Sequence, residues 1–497
     1  MTRTIFLIED LSQQHLQAQS VAAVLRQADF RTCLLDSAET DPNTIVALAI
    51  QGQPRLIIFS ILFADHVSEY LGLGHALRNA GVHAHLTLIG ALPALASATF
   101  LAACPALDSV VGSEPEATIA QLAYTCHDSA QWQRIPGIAY RSPTPHANPP
   151  PPPIHLDDLP FALRDSPISN SQPPTSHLQF ATIAASRGCY HECAFCLPCA
   201  FYRALGTRYR LRSIFHLVDE IQVLSQQGTR LFLFDDEQFL PPRGAREKRI
   251  AEFADALRQR DLQIAFTCKC RADEVDEAFF RQLHDLGLLR VYIGIESGHQ
   301  PTLDWMRKKT TVQQNADALK TLDQLGIVAN FRTLLFHPWS TLETIRTEID
   351  FLENVTPHGP TLFSFRDVEI FAGTPLAEQT RNPISRRNWV SEYTIADPRA
   401  ELLRRLNRIV YGSSYTKTQD ALDQAWFDVL LSKRFGMQSD ASELDRLKGI
   451  AINLNRITLG VWREMLEFVE REDIYDAAGV HLRAGEWARK TESPQWA

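Results

Sequence analysis

Short apolar runs alternate with amphipathic stretches over the first part of the chain. The runs predict five strands, at Thr4–Ile8, Thr32–Leu35, Leu56–Phe59, Leu86–Ile89 and Ser109–Val111. Helical patterns lie between them, the clearest over Leu16–Gln27. This alternation predicts a doubly wound parallel α/β sheet for residues 1–140. Sheets of this kind bind ligands at the carboxyl ends of their strands.

The pattern breaks at residues 141–177, where the run Pro149–Pro153 predicts an extended, semi-rigid linker. It resumes over residues 178–385, where six further strands are predicted at Ala181–Ala185, Leu231–Phe234, Ile264–Thr267, Val291–Ile295, Ala329–Leu335 and Leu362–Phe365. Six strand–helix repeats predict a second α/β unit. Amphipathic stripes over residues 386–497 predict a helical region that caps or flanks it, and we expect this region to close the mouth of the second unit.

The composition is that of a globular protein, with 45% hydrophobic and 22% charged residues. The formal net charge of −9 argues against a broad nucleic-acid surface. The sequence contains no run of about 18 apolar residues, so no membrane span is predicted. Glu9 and Asp10 after the first strand argue against a signal peptide. Nine cysteines without an export signal predict reduced thiols and a cytoplasmic location.

Three of these cysteines, Cys189, Cys193 and Cys196, have C-x3-C-x2-C spacing in one short loop. Three thiolates on such a loop can hold three corners of a cubane iron–sulfur cluster. The fourth iron then keeps an open position, as catalytic metal sites do. Two alternatives stay open: a disulfide, which requires an oxidising compartment, and a zinc site or different cluster with Cys199 as its fourth ligand.

This loop, with the aromatic Phe195 before its last cysteine, resembles the signature loop of radical S-adenosylmethionine (SAM) enzymes. The resemblance implies a [4Fe–4S] cluster on the three cysteines, with SAM chelated to the open iron and Phe195 packed beside the adenine. It also implies reductive cleavage of SAM to methionine and a 5′-deoxyadenosyl radical. Residues 178–385 would then form a partial (β/α)6 barrel, and a small reducing protein such as a flavodoxin or ferredoxin would supply electrons.

An acidic group follows one predicted barrel strand, at Asp235, Asp236 and Glu237. Because loops after barrel strands form the catalytic rim, we expect these side chains in the site. Carboxylates this close raise one another's pKa unless a cation is near. The resemblance implies that the ammonium group of SAM is that cation.

A second segment, Gly294–Gly298, resembles the G-x-E-S-G turn of cobalamin-linked radical SAM proteins. The resemblance implies that Glu296, with Ser297 beside it, contacts the ribose or amino group of SAM. Arg212 and Arg271 are candidates for the SAM carboxylate, since a guanidinium binds a carboxylate bidentately. Each could equally form a structural ion pair.

The first unit also resembles a known class, the cobalamin-binding Rossmann domains. Ser60 and Leu62 match an S-x-L element, and Gly90 begins a G-G element in which Ala91 replaces the second glycine. The D-x-H-x-x-G loop of that class is absent, since the corresponding stretch is Glu9–His15. The resemblance therefore implies a cobalamin site and leaves open a purely structural domain.

Cys268 and Cys270, two apart at a predicted strand end, point to the same face. If that face is the barrel interior, they lie near the radical, where one could donate hydrogen or join Cys199 on a second cluster, or the two could pair as a reversible disulfide. Free cysteines more often behave as small buried apolar residues.

The main functional hypothesis is a cobalamin-dependent radical SAM enzyme that methylates an unactivated carbon of a small-molecule substrate. The alternative keeps the radical but not the methyl transfer, so that the enzyme runs a dehydration, oxidation, cyclisation or rearrangement. A third hypothesis, a cluster-bearing sensor or scaffold, predicts no 5′-deoxyadenosine from SAM and reductant.

Overall fold

The structure is a computed structural model that describes residues 3–11, 16–62, 64–164, 179–356, 361–380, 389–437, 441–471 and 477–492. It consists of two α/β units followed by helices, which confirms the predicted fold class. Residues 12–15 of the stretch that stands in place of the D-x-H-x-x-G loop, and residues 165–177 of the predicted linker, lie outside the described residues. None of the helices within these ranges combines the length and apolar character needed to cross a membrane.

The first unit is a seven-stranded sheet in the order β2-β1-β3-β4-β5-β6-β7. Its elements are β1 (Thr4–Glu9), α1 (Gln17–Gln27), β2 (Arg31–Asp36), α2 (Pro42–Gly52), β3 (Leu56–Ser60), α3 (Val67–Asn79), β4 (His85–Ile89), α4 (Ala91–Leu95), α5 (Ser97–Ala103), β5 (Ser109–Val111), α6 (Ile119–Thr125), α7 (Ser129–Trp132), β6 (Ile138–Arg141) and β7 (Pro145–Ala147). Strands β1 to β5 are parallel, and β6 and β7 extend the sheet in antiparallel fashion. The sequence analysis missed β6 and β7, because both are short and lack a strong apolar run.

The second unit is an open, parallel six-stranded sheet in the order β15-β14-β13-β12-β11-β8. Its elements, with a small β9–β10 ribbon, are β8 (Phe180–Ile183), β9 (Ser186–Gly188), α8 (Leu197–Ala204), β10 (Tyr209–Leu211), α9 (Ile214–Gln226), β11 (Leu231–Phe234), α10 (Arg243–Gln259), β12 (Ala265–Arg271), α11 (Glu277–Leu286), β13 (Leu288–Gly294), α12 (Gln300–Trp305), α13 (Val312–Gln324), β14 (Val328–Phe336), α14 (Leu342–Val355), β15 (Thr361–Asp367) and α15 (Pro375–Thr380). The largest hydrophobic core fills the space between this sheet and its helices. Strand β12 continues four residues past the predicted end at Thr267, which places two cysteines inside the strand.

Four helices complete the chain: α16 (Pro398–Val410), α17 (Ser413–Arg434), α18 (Ala441–Arg471) and α19 (Ala477–Glu492). Helix α17 crosses the amino ends of the barrel strands, where Phe427 packs against Leu231 and Ala265. Arg290 at the start of β13 forms a 2.9 Å salt bridge with Asp423 of the same helix. The expectation that the C-terminal helices close the barrel mouth is therefore wrong for α17, which closes the opposite end.

The first unit lies over the barrel mouth. Trp389 stacks on Phe100 with ring centroids 4.5 Å apart. The described part of the linker, residues 148–164, runs along both units: the Leu163 amide donates to the carbonyl of Gln19, and Arg164 forms a 2.8 Å salt bridge with Glu220. This packing leaves an internal space between the carboxyl ends of the two sheets.

Candidate active site

A cavity of about 1030 Å³ lies between the two units. One wall is the carboxyl end of the first sheet, where Leu62 and Gly90 are exposed to the cavity. The opposite wall is the cysteine loop, represented by Phe195 and Cys196, with the strand ends of the barrel around it. The Leu62–Gly90 region of the first unit and the cysteine loop of the second therefore face the same space.

The cysteine loop begins at a glycine that no other residue could replace without strain. Gly188 ends β9 with φ +83°, and a Cβ atom there would lie 2.1 Å from the carbonyl oxygen of Arg208. The tight β9–β10 pairing thus turns the chain directly into Cys189. The loop ends at α8, whose first turn carries Pro198, a residue well suited to a helix start.

The thiols of the loop fit a cluster that needs thiolate ligands. An interaction with the Cys199 side chain lowers the pKa of the Cys189 thiol, although burial opposes this shift. Burial raises the pKa of Cys193, but Arg271 donates to its sulfur over 3.6 Å and Lys308 opposes the effect of burial. Positive groups beside a thiolate ligand set offset part of the charge of an iron–sulfur centre. Within the described ranges, no three His, Cys, Asp or Glu side chains are already grouped around a single metal position.

The acidic group after β11 divides between two faces because side chains alternate along an extended segment. Asp235 lines the cavity and its carboxylate lies 3.0 Å from the ammonium of Lys269. Glu237 also lines the cavity and accepts a 2.9 Å hydrogen bond from the Gly188 amide. The cation that the sequence analysis assigned to SAM is thus partly supplied by a lysine of the protein.

Asp236 faces away from the cavity, so its predicted place in the site is wrong. It is 1% exposed and accepts hydrogen bonds from the Ala185 amide and the Ser186 hydroxyl. Burial raises the pKa of Asp236 to about 7, although these hydrogen bonds oppose the shift. It fixes the segment that precedes the cysteine loop and does not reach the cavity.

Both arginines proposed for the SAM carboxylate are already engaged. Arg212 lines the cavity, but it forms a salt bridge with Glu220 and donates to His216. Arg271 forms a 2.9 Å salt bridge with Asp273 and donates to the Lys308 carbonyl, besides its contact with the cysteine loop. The structural ion-pair alternative that the sequence left open describes both residues.

The predicted G-x-E-S-G turn follows β13 and contributes one residue to the cavity. Glu296 has a left-handed backbone, φ 62°, and its carboxylate accepts a 2.8 Å hydrogen bond from Lys308. Ser297 is a correction: it is fully buried behind the cavity and donates to the Glu348 carboxyl. Burial raises the pKa of Glu348 to about 7. Gly298 is required because a Cβ there would overlap the ring of Phe351.

Cys268 and Cys270 do not lie in the barrel interior, so their tentative catalytic role is wrong. Both are buried in the core between the sheet and its helices, at 1% and 4% exposure. Burial raises the pKa of both thiols. Lys269, between them, points to the opposite face and lines the cavity. Their behaviour is that of small buried side chains.

The wall from the first unit keeps two of the three predicted cobalamin-contact residues. Gly90, at φ 124°, approaches the carbonyl oxygen of Ile61 so closely that a Cβ would lie 2.0 Å from it. Leu62 stands beside it on the cavity surface. Ser60 is a correction, because its hydroxyl is 2% exposed and hydrogen-bonded to Gln17 and Glu9. Ile61 and Ala91 line the cavity beside Leu62 and Gly90, so this part of the wall is apolar.

Among the cavity residues that were not predicted are four cations, Arg187, Lys269, Arg332 and Arg366. Three of them interrupt apolar strands, which is a signal that could have been used. A charged side chain inside a barrel strand must point either into the interior or into the helical layer, and the helical layer is a poor solvent for it.

Comparison with known proteins agrees with this architecture. The family model of the radical SAM superfamily matches residues 183–352. An uncharacterised methyltransferase of Pyrococcus horikoshii is 26% identical over 326 residues, which cover 63% of this chain and 68% of the relative. The anaerobic magnesium-protoporphyrin IX monomethyl ester cyclase of Rubrivivax gelatinosus is 31% identical over 255 residues, 48% of this chain and 44% of the relative.

Among solved structures, the cobalamin-dependent SAM radical enzyme OxsB, with aqua-cobalamin and SAM bound, superposes with a TM-score of 0.67. The superposition covers 99% of this chain and 84% of OxsB at 18% identity, so it reports on the fold. The fold and the cysteine loop together define an enzyme with a partial barrel built around a cluster. Residues 183–352 therefore match the radical SAM superfamily, and the chain as a whole shares its fold with OxsB, an enzyme in which a first α/β unit precedes the barrel.

Proposed function

We propose that this protein is a cobalamin-dependent radical SAM methyltransferase that acts on an unactivated carbon of a small molecule. A [4Fe–4S] cluster, SAM and cobalamin, when bound, supply the electron, the hydrogen-abstracting radical and the methyl group, while the protein binds and orients them. One observation carries the proposal: the cysteine loop and the Leu62–Gly90 wall face each other across one cavity. Both cofactor regions can therefore reach a single substrate.

The residues of the chain have separate tasks in this proposal. Cys189, Cys193 and Cys196 hold the cluster. Glu237 and Glu296 line the cavity as hydrogen-bond acceptors, suited to the ammonium and hydroxyl groups of SAM. Phe195 offers an apolar surface beside the last ligand.

The strap formed by residues 156–162 limits the access of water along one side of the cavity. Leu156, Leu159 and Pro160 line the cavity there. A reactive radical needs such exclusion, because a closed site prevents side reactions. A reducing protein of the flavodoxin or ferredoxin kind and a cytoplasmic location complete the proposal.

The test is anaerobic reconstitution followed by incubation with SAM and dithionite. The wild-type protein should bind iron and about one cobalt per chain, and should form both 5′-deoxyadenosine and S-adenosylhomocysteine with a methyl-accepting substrate. Cys196→Ala should lose iron and both products. Cys268→Ala, a buried cysteine on the far face of β12, is the matched control and should keep them. Iron binding without any 5′-deoxyadenosine would refute the proposal.

A second candidate is a radical SAM enzyme that does not transfer a methyl group. The position of Ser60 favours this candidate. The Ser60 hydroxyl is hydrogen-bonded to Gln17 within the first unit and therefore does not offer a contact to cobalamin. That candidate predicts 5′-deoxyadenosine without S-adenosylhomocysteine, and undiminished turnover in protein that contains no cobalt.

A further inference from the structure

Two arginines on neighbouring barrel strands face the cavity. In the β14–β15 pairing, Arg332 is opposite Ser364, and Leu334 is opposite Arg366. Directly paired residues share a face, and residues two apart on one strand do so as well. Arg332 and Arg366 therefore project from the same face, and both line the cavity.

These two guanidinium groups differ from the other cations of the cavity. Lys269 is paired with Asp235, Arg212 with Glu220, and Arg408 with Asp367. Within the described ranges, by contrast, neither Arg332 nor Arg366 has a hydrogen bond or salt bridge through its guanidinium.

Among the described residues, carboxylates lie near this pair without forming a salt bridge to either guanidinium, and one of them, Asp420, interacts electrostatically with Arg366. Burial lowers the pKa of Arg332, and the positive charge of Arg366 lowers it further. Glu296 and Glu369 act on Arg332 in the opposite direction, but the Glu296 carboxylate is already bound to Lys308. Two like charges facing one partly closed space repel each other, and an anion between them would remove that cost.

We propose that Arg332 and Arg366 bind an anionic group of the substrate, a phosphate or a carboxylate. This inference rests on the proposed function, because it assumes that the substrate occupies this cavity. A guanidinium presents parallel N–H donors whose geometry matches both anions. Two of them on adjacent strands would hold one end of the substrate in a fixed position below the rim, with the rest of the molecule directed toward the cysteine loop.

The test measures anion binding to reconstituted protein by isothermal titration calorimetry, with inorganic phosphate and with succinate as separate probes. The variants are Arg332→Gln and Arg366→Gln. The matched control is Arg230→Gln, an exposed arginine before β11 that does not line the cavity. Loss of a charge-assisted contact should weaken binding of the preferred probe at least roughly tenfold in either cavity variant. The control should bind it like the wild type.

Two other anions of the site could be the true partner, and the experiment separates them. If the pair binds the SAM carboxylate, Arg332→Gln raises the dissociation constant for SAM. If it binds the phosphate of the cobalamin nucleotide, Arg332→Gln lowers the cobalt content and hydroxocobalamin displaces the phosphate probe. We expect SAM affinity and cobalt content equal to those of Arg230→Gln, and either change would overturn the inference.

Phosphate binding that exceeds succinate binding identifies a phosphate ester as the substrate class, and the reverse identifies a carboxylic acid. Wild-type protein that binds neither probe, or cavity variants that bind as tightly as the wild type, would also overturn the inference. Failure of the proposed function appears separately, as absence of 5′-deoxyadenosine from the wild-type protein.

Discussion

The contact between the two units includes a partly buried arginine, Arg187, whose side chain is 20% exposed, and its removal gives a quantitative prediction. Arg187 in β9 forms a 2.5 Å salt bridge with Glu116 and a 3.3 Å one with Glu114, both from the first unit. The side chains of Glu116 and Glu114 are only 2% and 4% exposed. Arg210, which pairs with Arg187 across the β9–β10 ribbon, also reaches Glu114.

Replacing Arg187 with Met leaves the Glu116 carboxylate buried without its main cation. Breaking a buried ion pair from one side costs about 3–5 kcal/mol. We expect the lower end, about 3 kcal/mol, because Ser20 still donates to Glu116 and Arg210 still neutralises Glu114. The measurement is urea unfolding of the apoprotein at pH 7, followed by tryptophan fluorescence.

The loss of stability in Arg187→Met should change with pH in a definite direction. Burial alone would raise the pKa of Glu116, but Arg187 holds it below its usual value in the wild type. The wild type therefore gains stability from this group above the unfolded-state pKa of about 4.3, and loses it as the pH falls through the folded-state value. In Arg187→Met the folded-state pKa lies above the unfolded one, so burial of Glu116 destabilises the variant as the pH rises. The difference between the two proteins should shrink from pH 7 to pH 4.

The double variant Arg187→Met/Glu116→Gln is the control that tests the cause. An uncharged amide at position 116 has no ion to desolvate, so the double variant should recover most of the stability that Arg187→Met loses. A loss below about 1 kcal/mol, the scale of an exposed ion pair, would refute the reasoning. A double variant no more stable than Arg187→Met would refute it as well.

Three further predictions concern the cavity and its support. Gly90→Ala should lower stability and cobalt retention together, since its Cβ would meet the Ile61 carbonyl at 2.0 Å; cobalt analysis and thermal unfolding check this. Glu237→Gln should weaken SAM binding about tenfold while iron content stays normal, because it removes a partly buried charged acceptor; equilibrium dialysis with SAM checks this. Glu348→Gln should flatten the dependence of the unfolding free energy on pH between about pH 4.3 and 7. Because burial raises the pKa of Glu348 to about 7, the wild type loses stability as the pH rises through that window, and the amide variant does not. An unchanged pH dependence in urea unfolding would contradict this.

Five strands of the first sheet and the six strands of the second could be predicted because each contains an apolar run. The small strands Ile138–Arg141 and Pro145–Ala147 could not, since they depend on pairing with β5 and on the contacts of Arg141 with the α5–β5 connection. The cysteine loop was recognisable from spacing alone. The docking of the two units was not, because the buried group around Arg187 joins residues more than 70 positions apart.

The predicted site residues divide according to the two-residue period of a strand. Asp235 and Glu237 reach the cavity and Asp236 does not, and Lys269 reaches it while the cysteines on either side do not. If every residue of such a motif is assigned to the site, the residues that point to the opposite face of the strand are assigned wrongly.

The same period explains why the barrel interior was overlooked. Arg332 stands between Phe331 and Thr333, which are both buried, and Arg366 stands between Phe365 and Asp367. A charged residue between two buried residues of a barrel strand belongs on the interior face, because the helical layer would leave its charge unsolvated. Two such residues on paired strands can be brought together by register alone, so an anion-binding interior follows from sequence once the strand order is known. The strand order itself cannot be predicted from the local sequence pattern, because the packing of the helices around the barrel determines it.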